Sequence, residues 1–417
     1  NPQSQSRQIG AENATAAADQ LIAKRCVRHY TSMANARTGG LHDKPGPVQG
    51  RASDPPRRPP PPAQSRASML RESLFGSFGA GVLTLCGLLL IVFLLPPALK
   101  FMVLDAVWSA PDGELCRAPG AGACWAFIWR KLPYFTYGSY PPAERWRVDL
   151  TMILGGALIG WQLWLGAPAR RTAALLFFLL YPIVGFVLLH GSPALGLARV
   201  DTDLWGGVFV SLLVATVGIV FSLPLGILLA LGRRSTLPAL SAVCVGFIEI
   251  MRGVPMITVL FMANTMLPLF VPEDLAPDRL IRPLIGVALF ASAYMAEVVR
   301  GGLQAVPAGQ YEAAQALGLR PWPALRVIVL PQALGHVIPG IVNTFIGLFK
   351  DTTLVAIVGV FDFLRTIDSA RLDPVWSGPT ISVTGYAFAA LFYFAFCFGM
   401  SRYALSVERR LARSRAR

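Results

Sequence analysis

The sequence predicts an all-α polytopic membrane protein of about eight transmembrane helices, and three observations carry that prediction. Hydrophobic residues make up 54% of the 417-residue chain and charged residues only 14%, whereas soluble domains carry about 25% charged residues. Mean hydropathy is +0.53. Apolar runs recur at the length that a hydrocarbon layer of ~30 Å demands, about 20 residues per helix, and basic residues gather between alternate runs.

In chain order, the first element is a tail. Residues 1–68 hold ten Lys and Arg against four acids, and the PPRRPPPP run at 55–62 favours polyproline II over a packed core. A disordered, basic, proline-rich tail is expected there. Met69 stands immediately before the first apolar run, so one expectation is that a chain starting at or near Met69 suffices; the alternative is a solvated tail of no consequence. The first run is too long for a signal peptide and no small-residue cleavage site follows it.

Eight spans are expected at 73–97, 149–166, 172–190, 205–231, 240–270, 283–300, 332–360 and 380–404. The second is short and contains Gly155, Gly156 and Gly160. The seventh is interrupted by Lys350 and Asp351, which marks a break or a re-entrant turn. With both termini on the cytoplasmic side, that side receives Arg170–Arg171, Arg233–Arg234, Arg320, Arg326 and the basic C-terminus, as the positive-inside rule requires. The other side receives 98–148, 191–204, the acid-containing 271–282 with Glu273, Asp274 and Asp278, and a short stretch near Asp362–Asp373.

The net charge of +14 is not a nucleic-acid signal, because residues 1–68 contribute +6 and 402–417 contribute +5. Flanking charge of this kind belongs to membrane-protein ends, and no basic, aromatic-studded globular module remains. Cys86, Cys244 and Cys397 fall inside spans and read as buried small apolar residues. Cys116 and Cys124 share the expected external loop 98–148, where a disulfide is chemically permitted. That loop also holds Trp108, Trp125, Trp129, Tyr134, Phe135, Tyr137, Tyr140 and Trp146, an interfacial aromatic collar in composition.

Chemistry-bearing motifs are scarce. A P-loop needs Gly-Lys-Ser/Thr to cradle phosphates, yet the chain has five lysines and none follows glycine. His29 and His42 lie in the tail, His190 near an external boundary and His336 within the seventh span, with no H-E-x-x-H, no metal spacing and no G-x-S-x-G elbow. No cofactor or metal is therefore expected on this chain.

What stands out is the segment from Glu312 to Pro331, EAAQALGLRPWPALRVIVLP. Glu312 to Leu317 forms a short helix that Gly318 ends, small Ala313 and Ala314 permit close approach to a partner, and Pro321 and Pro323 suit the start of a second short helix. With Glu312, Ala313, Ala314, Gly318, Ile328, Leu330 and Pro331 in register, the segment resembles the EAA loop of permease subunits in binding-protein-dependent ABC importers. Glu249-Ile250-Met251-Arg252-Gly253-Val254-Pro255 is similar to an E-x-x-R-G-T/V-P element of the polar amino-acid branch. The stretches 293–302 and 350–355 also look like that branch.

The resemblance covers 205–405 as a five-helix type I permease core and implies the following domains: 1–68 tail, 69–200 three-helix extension, 201–406 core with coupling loop 302–331, and 407–417 basic tail. The long extension looks like the general L-amino-acid type of permease, which pairs with a paralogue. It further implies two ATP-binding subunits that carry ATP and Mg, a periplasmic solute-binding protein, and an inner-membrane location without catalytic chemistry.

An amino acid brings a carboxylate and an ammonium, so Arg252 is expected to face the first and Glu297 the second. Gly253 and Pro255 loosen the helix beside them. Tyr294 lies one turn before Glu297, and Lys350 with Asp351 completes the candidate pathway. Plainer roles stay open: Glu249 and Arg252 are spaced to neutralise one another, and Arg300 is spaced to snorkel. An ion-coupled secondary transporter using Glu297 or Asp351 is the alternative function, and it has no use for an EAA loop. A chain beginning at Met69 is expected to retain transport; loss of transport on deleting 1–68 would refute the dispensable-tail reading.

Overall fold

Charge-free leucine-rich runs have one stable backbone form in hydrocarbon, because a helix satisfies its own N–H and C=O groups without water. The computed structural model describes residues 66–164, 166–272 and 277–415. The expected tail 1–65, with His29 and His42, and the acids Glu273 and Asp274 lie outside those residues. The chain divides into two units, Asn1–Val82 and Leu83–Arg417. In the first, α1 (Arg66–Phe75) is followed by the start of α2 (Phe78–Leu99), which continues through a π-helical turn to Leu104. Helix thus begins at Arg66, inside the stretch expected to be disordered.

In the second unit α2 presents Leu83, Leu89 and Phe93 to its surroundings, and none of its residues is buried. There follow α3 (Glu114–Arg117), α4 (Trp125–Tyr137), α5 (Arg145–Leu163), α6 (Arg170–Leu175) and α7 (Tyr181–His190). The core is α8 (Val208–Arg233), α9 (Pro238–Gly253), α10 (Met256–Phe261) and α11 (Ile281–Ala305). It continues with α12 (Ala308–Ala316), α13 (Pro321–Ala324), α14 (Leu330–Asp351), α15 (Phe363–Ala370) and α16 (Ile381–Arg415). A two-residue parallel pair, β1 (Gly206–Gly207) with β2 (Phe361–Asp362), ties the start of α8 to the start of α15.

Among the described residues six helices are long and apolar enough to cross a membrane, and the bent pair Pro238–Gly253 with Met256–Phe270 makes a seventh. The second expected span, 149–166, exists as α5, but Arg145, Arg147 and Asp149 occupy its first turns and keep it out of that count. Arg147 is buried there, paired with Glu144 at 2.7 Å and donating to the Ala198 carbonyl at 2.7 Å. The fifth expected span, 240–270, is not straight. It bends by 110° between Gly253 and Met256, since Pro255 lacks the amide that would continue the helix and disfavours helical Val254.

Helices α8 and α11 pack most closely. A Cβ on Gly226 would come 2.7 Å from Met295 Cβ, so only glycine lets the two backbones approach this far. One end of the bundle buries Ala230, Ile248, Met295, Val299, Leu303 and Val329 together. The other buries Val210, Val214, Leu260, Val287, Leu348 and Val355.

At that second end the expected loop 98–148 is a folded module with its own core. Phe127, Phe135, Phe363, Ile367, Trp376 and Ile381 form that core, and Phe135 and Tyr140 are fully buried. These two are packing residues rather than members of a collar, whereas Trp108, Trp129 and Trp146 are exposed. A disulfide joins Cys116 to Cys124. Arg117 donates to the Pro374, Val375 and Ser377 carbonyls at 2.8–2.9 Å, and Lys131 pairs with Asp373. Of the free cysteines, Cys244 is buried as expected, while Cys86 is exposed and Cys397 half-buried.

Asp362 is fully buried outside the spans and caps α15, accepting from the Leu364 and Arg365 amides at 3.1 Å each. Burial pushes its pKa up to about 7, against the pull of those amides and with a further push from Asp368. An unfolded aspartate titrates near ~3.9, so folding takes up a proton between these values. The stabilisation is full below about pH 4 and is lost as pH rises through about 7. The melting temperature of the purified protein is expected to fall between about pH 4 and about pH 7. Asp362→Asn, which keeps a capping side chain, should flatten that fall; parallel pH profiles for the two proteins would refute the assignment.

Candidate functional site

The Glu312–Pro331 segment folds into a knuckle. Helix α12 starts after Pro307 and ends in a Schellman-type cap: Gly318 adopts φ +74°, its N–H donates to Gln315, and the Leu319 N–H reaches back to the Ala314 carbonyl at 3.1 Å. Left-handed backbone here is what requires glycine. Ala314 is buried, whereas Glu312, Ala313 and Leu317 are exposed, so one face seats the helix and the other is presented outward.

The second helix is not short and separate, as expected. Pro321 opens α13, a π-helical turn at Leu325–Val329 carrying Ile328 follows, and Leu330 and Pro331 lead without a break into α14. The knuckle is therefore rigidly continuous with a span. Gln332 donates to Gln310 at 3.1 Å and to the Ile328 carbonyl at 3.0 Å, fastening α14 to α12. Arg234, at the end of α8, lies over the Tyr311 ring and within 3.4 Å of its hydroxyl. A mostly apolar cavity of about 920 Å³ lies beside the knuckle, lined by Leu228, Leu229, Arg234, Tyr311, Trp322 and Leu325 among others.

Close by is a charged hub centred on Glu297. Its carboxylate takes Arg233 from α8 at 2.7 Å, Arg300 from its own helix at 2.7 Å, and Arg252 from α9 at 3.6 Å. Arg233 also reaches Glu249 at 3.2 Å. Helix α9 can supply these groups because it crosses the end of α8: Cys244 meets Gly232 and the Ser241 hydroxyl donates to the Arg233 carbonyl at 2.9 Å. The bend at Val254–Pro255 then turns the chain away.

This geometry corrects two of the plainer expectations. Glu249 and Arg252 do not neutralise one another; each pairs across helices. Arg300 does not snorkel but bonds Glu297 through two nitrogens, at 2.9 and 2.7 Å. Glu297 holds guanidiniums on both oxygens, Arg233 on Oε1 and Arg300 on Oε2, so an ammonium would share the carboxylate with them. The hub sets three guanidiniums against two carboxylates, so its unmet demand is for an anion. Arg252 is its loosest member, about one-third exposed and lying over the Tyr294 ring at 5.8 Å.

Lys350 and Asp351 are not brought to the hub. Gly340 packs on Val298, and Lys350 lies ten residues, about 15 Å of helix, further along α14. There α14 gives way to the tighter turn Thr352–Val358, the break that the adjacent charges suggested. Sequence reasoning treated Arg233 only as a topology marker and did not single out Tyr311. Nothing local distinguishes them, because their partners lie 64 and 77 residues away.

Comparison with known proteins fits this geometry. A profile of the family described as "Binding-protein-dependent transport system inner membrane component" matches residues 222–413. The inner membrane amino-acid ABC transporter permease protein YhdY of Escherichia coli (strain K12) is 48% identical over 356 residues, covering 85% of this chain and 96% of that protein. The glutamate/glutamine/aspartate/asparagine transport system permease protein BztC of Rhodobacter capsulatus is 41% identical, with the same shares covered. Among solved structures, an amino acid ABC transporter with histidines aligns over 49% of this chain and 92% of its own at 27% identity and TM-score 0.44.

Removing a carboxylate shared by several cations leaves them repelling one another in a partly dry site. Glu297→Gln is expected to lower stability by about 2–4 kcal/mol, seen as a drop of several degrees in melting temperature. Glu249→Gln, at a side chain 55% exposed, should cost under about 0.5 kcal/mol. Equal losses in the two variants would count against Glu297 as the centre.

Proposed function

The chain belongs to the family of binding-protein-dependent transport system inner membrane components, and from that premise we propose that it is the permease subunit of an ABC importer for polar L-amino acids. Members of this family are non-catalytic membrane subunits that assemble with other transporter components. The observation that carries the mechanistic reading is the knuckle: a capped helix showing Glu312, Ala313 and Leu317 outward, turned at Gly318 and fastened through Gln310–Gln332 to a helix that runs without a break into a transmembrane span. Force applied to α12 therefore has a rigid path into the bilayer.

In this reading ATP and Mg²⁺ reside on two separate ATP-binding subunits, since the sequence has no P-loop lysine of its own. A solute-binding protein delivers the amino acid on the opposite side, where the disulfide-bearing module lies. Both termini face the cytoplasm, by the distribution of Arg170–Arg171, Arg233–Arg234, Arg320 and Arg326, with α5, which runs antiparallel beside 170–190 with Gly155 on Tyr181 and Thr151 on Gly185, taken as the eighth crossing. A second permease, a paralogue, completes the passage. The names of the two relatives support amino acids as the cargo.

The hub suggests how motion and cargo are linked. Arg233 and Arg300 hold Glu297 firmly, while Arg252, at 3.6 Å, is free to exchange that carboxylate for the α-carboxylate of an arriving amino acid. Such an exchange would loosen α9 from α11 close to where the knuckle engages its ATPase. The cation excess of the hub, three guanidiniums against two carboxylates, favours it.

Two charge-altering variants on the knuckle test the reading. Gly318→Asp forces a side chain into left-handed backbone, and Glu312→Lys reverses an exposed charge. Each is expected to abolish co-purification of a nucleotide-binding subunit and amino-acid uptake, while the permease itself still accumulates in the membrane. Uptake persisting in cells that lack every candidate ATPase would refute the importer reading.

A further inference from the structure

Along α14, from residue 332 to residue 350, the exposed positions are His336, Pro339, Asn343 and Lys350. Their spacings of three, four and seven place them on one face of a helix. Every Leu, Ile, Val and Phe in that stretch is buried or half-buried. A helix facing lipid has the reverse pattern, as α2 shows, where Leu83, Leu89 and Phe93 are the exposed residues. Neither His336 nor Asn343 has a side-chain hydrogen-bond partner among the described residues. A polar group facing hydrocarbon without a partner costs several kcal/mol, roughly 2–7, so this face cannot be turned to lipid. From His336 to Lys350 the stripe runs about 21 Å, most of the ~30 Å hydrocarbon thickness.

The helix packing shows where the stripe points. Helices α11 and α14 run antiparallel, with Val298 against Gly340 and Gly302 against Ala333 and Val337. That register sets Asn343 at the depth of Tyr294 and Glu297. On α11, Tyr294, Gly301 and Gln304 are exposed, about a quarter turn from the face that meets α14, counting ~100° per residue. On α14 the stripe is also about a quarter turn from its contact face, in the same sense along the chain. Because the helices are antiparallel, both rotations end on one side of the pair. The polar stripe of α14 and the Tyr294–Glu297 face of α11, with Arg252 over Tyr294, thus share one open side.

We infer that the His336–Asn343–Lys350 face of α14 is a wall of the water-filled passage, and that Asn343 and His336 are contact residues for the polar groups of the amino acid as it crosses. This rests on the permease reading. It assigns the ammonium to the Asn343 amide oxygen at the depth of Arg252, with a His336 ring nitrogen, about 10.5 Å along α14, as a separate contact on the way. The α-carboxylate goes to Arg252 across the same space.

Cysteine accessibility tests the assignment in the assembled transporter. In a background of Cys26→Ser, Cys86→Ser, Cys244→Ala and Cys397→Ala, which leaves only the Cys116–Cys124 disulfide, single cysteines at His336, Asn343, Ile341 and Leu89 are treated with a membrane-impermeant cationic thiosulfonate. His336→Cys and Asn343→Cys are expected to react at least tenfold faster than Ile341→Cys, on another face, and Leu89→Cys, on a lipid face. A mixture of L-glutamate, L-glutamine, L-aspartate and L-asparagine should slow the reaction at Asn343→Cys severalfold. In the native background, Asn343→Ala should raise the KM for uptake at least tenfold with a smaller change in kcat.

Reaction as slow as at Leu89→Cys, in a wild type that imports amino acids, would overturn the stripe and leave the permease reading standing. Fast reaction without protection, or an unchanged KM, would overturn the contact roles. An assembled wild type that imports no amino acid, with the stripe still reactive, would overturn the amino-acid reading instead.

Discussion

The bundle depends on a carboxylate that is shared. Charge at membrane depth is tolerated only when paired or wet, and Glu297 meets that condition for Arg233, Arg252 and Arg300 at once. Because the three guanidiniums come from α8, α9 and α11, the pairing also fixes those helices relative to one another. Apolar packing of Ala230, Ile248, Met295 and Val299 fills the space around it, but such packing is non-directional and tolerates sliding. The ion pairs supply direction. A hub of this kind has two well-defined conditions, paired and exchanged, which a smooth apolar interface does not.

Position gives the hub its use. Arg233 ends α8, and the next residue, Arg234, lies against Tyr311 of the knuckle helix. Adjacent residues thus contact the Glu297 carboxylate and the knuckle helix. The bend at Val254–Pro255 acts on the same group from the other side, since Arg252 belongs to the last turn before it. Displacement of the knuckle, straightening of the bend and release of Arg252 are therefore mechanically linked through contacts no longer than a side chain. No long pathway of coupled residues is needed.

What the sequence made legible was whatever is local. Apolar run length located the helices, Gly318 and Pro321 bounded the knuckle, and the Lys350–Asp351 interruption marked a true change of helix type. Long-range matters escaped it. Glu249 and Arg252, three residues apart, look like a pair to any local rule, yet the fold offers each a partner on another helix. The aromatic-rich loop 98–148 has the composition of a collar, but Phe135 is core because α15, more than 200 residues later, folds over α4, and Tyr140 because it packs on Phe209 and donates to the Leu189 carbonyl. Arg145 and Arg147 precede, and Asp149 begins, what hydropathy took for a span, yet one helix carries all three, and the Glu144 carboxylate and the Ala198 carbonyl show why buried Arg147 is tolerated.

His336 and Asn343 illustrate the remaining gap. In the sequence each is one polar residue inside an apolar run, and the run is helical whichever way it faces. Their meaning comes from phase. Exposure at 336, 339, 343 and 350 says which side of α14 is unpacked, and the Val298–Gly340 contact says that this side is the one Tyr294 shares. A polar residue buried in the bundle would have needed a hydrogen-bond partner from a neighbouring helix, and one turned to lipid would have carried a desolvation cost with no return. The arrangement that avoids both is a face left open for water and for a cargo that, being zwitterionic, needs polar groups on both sides of its path.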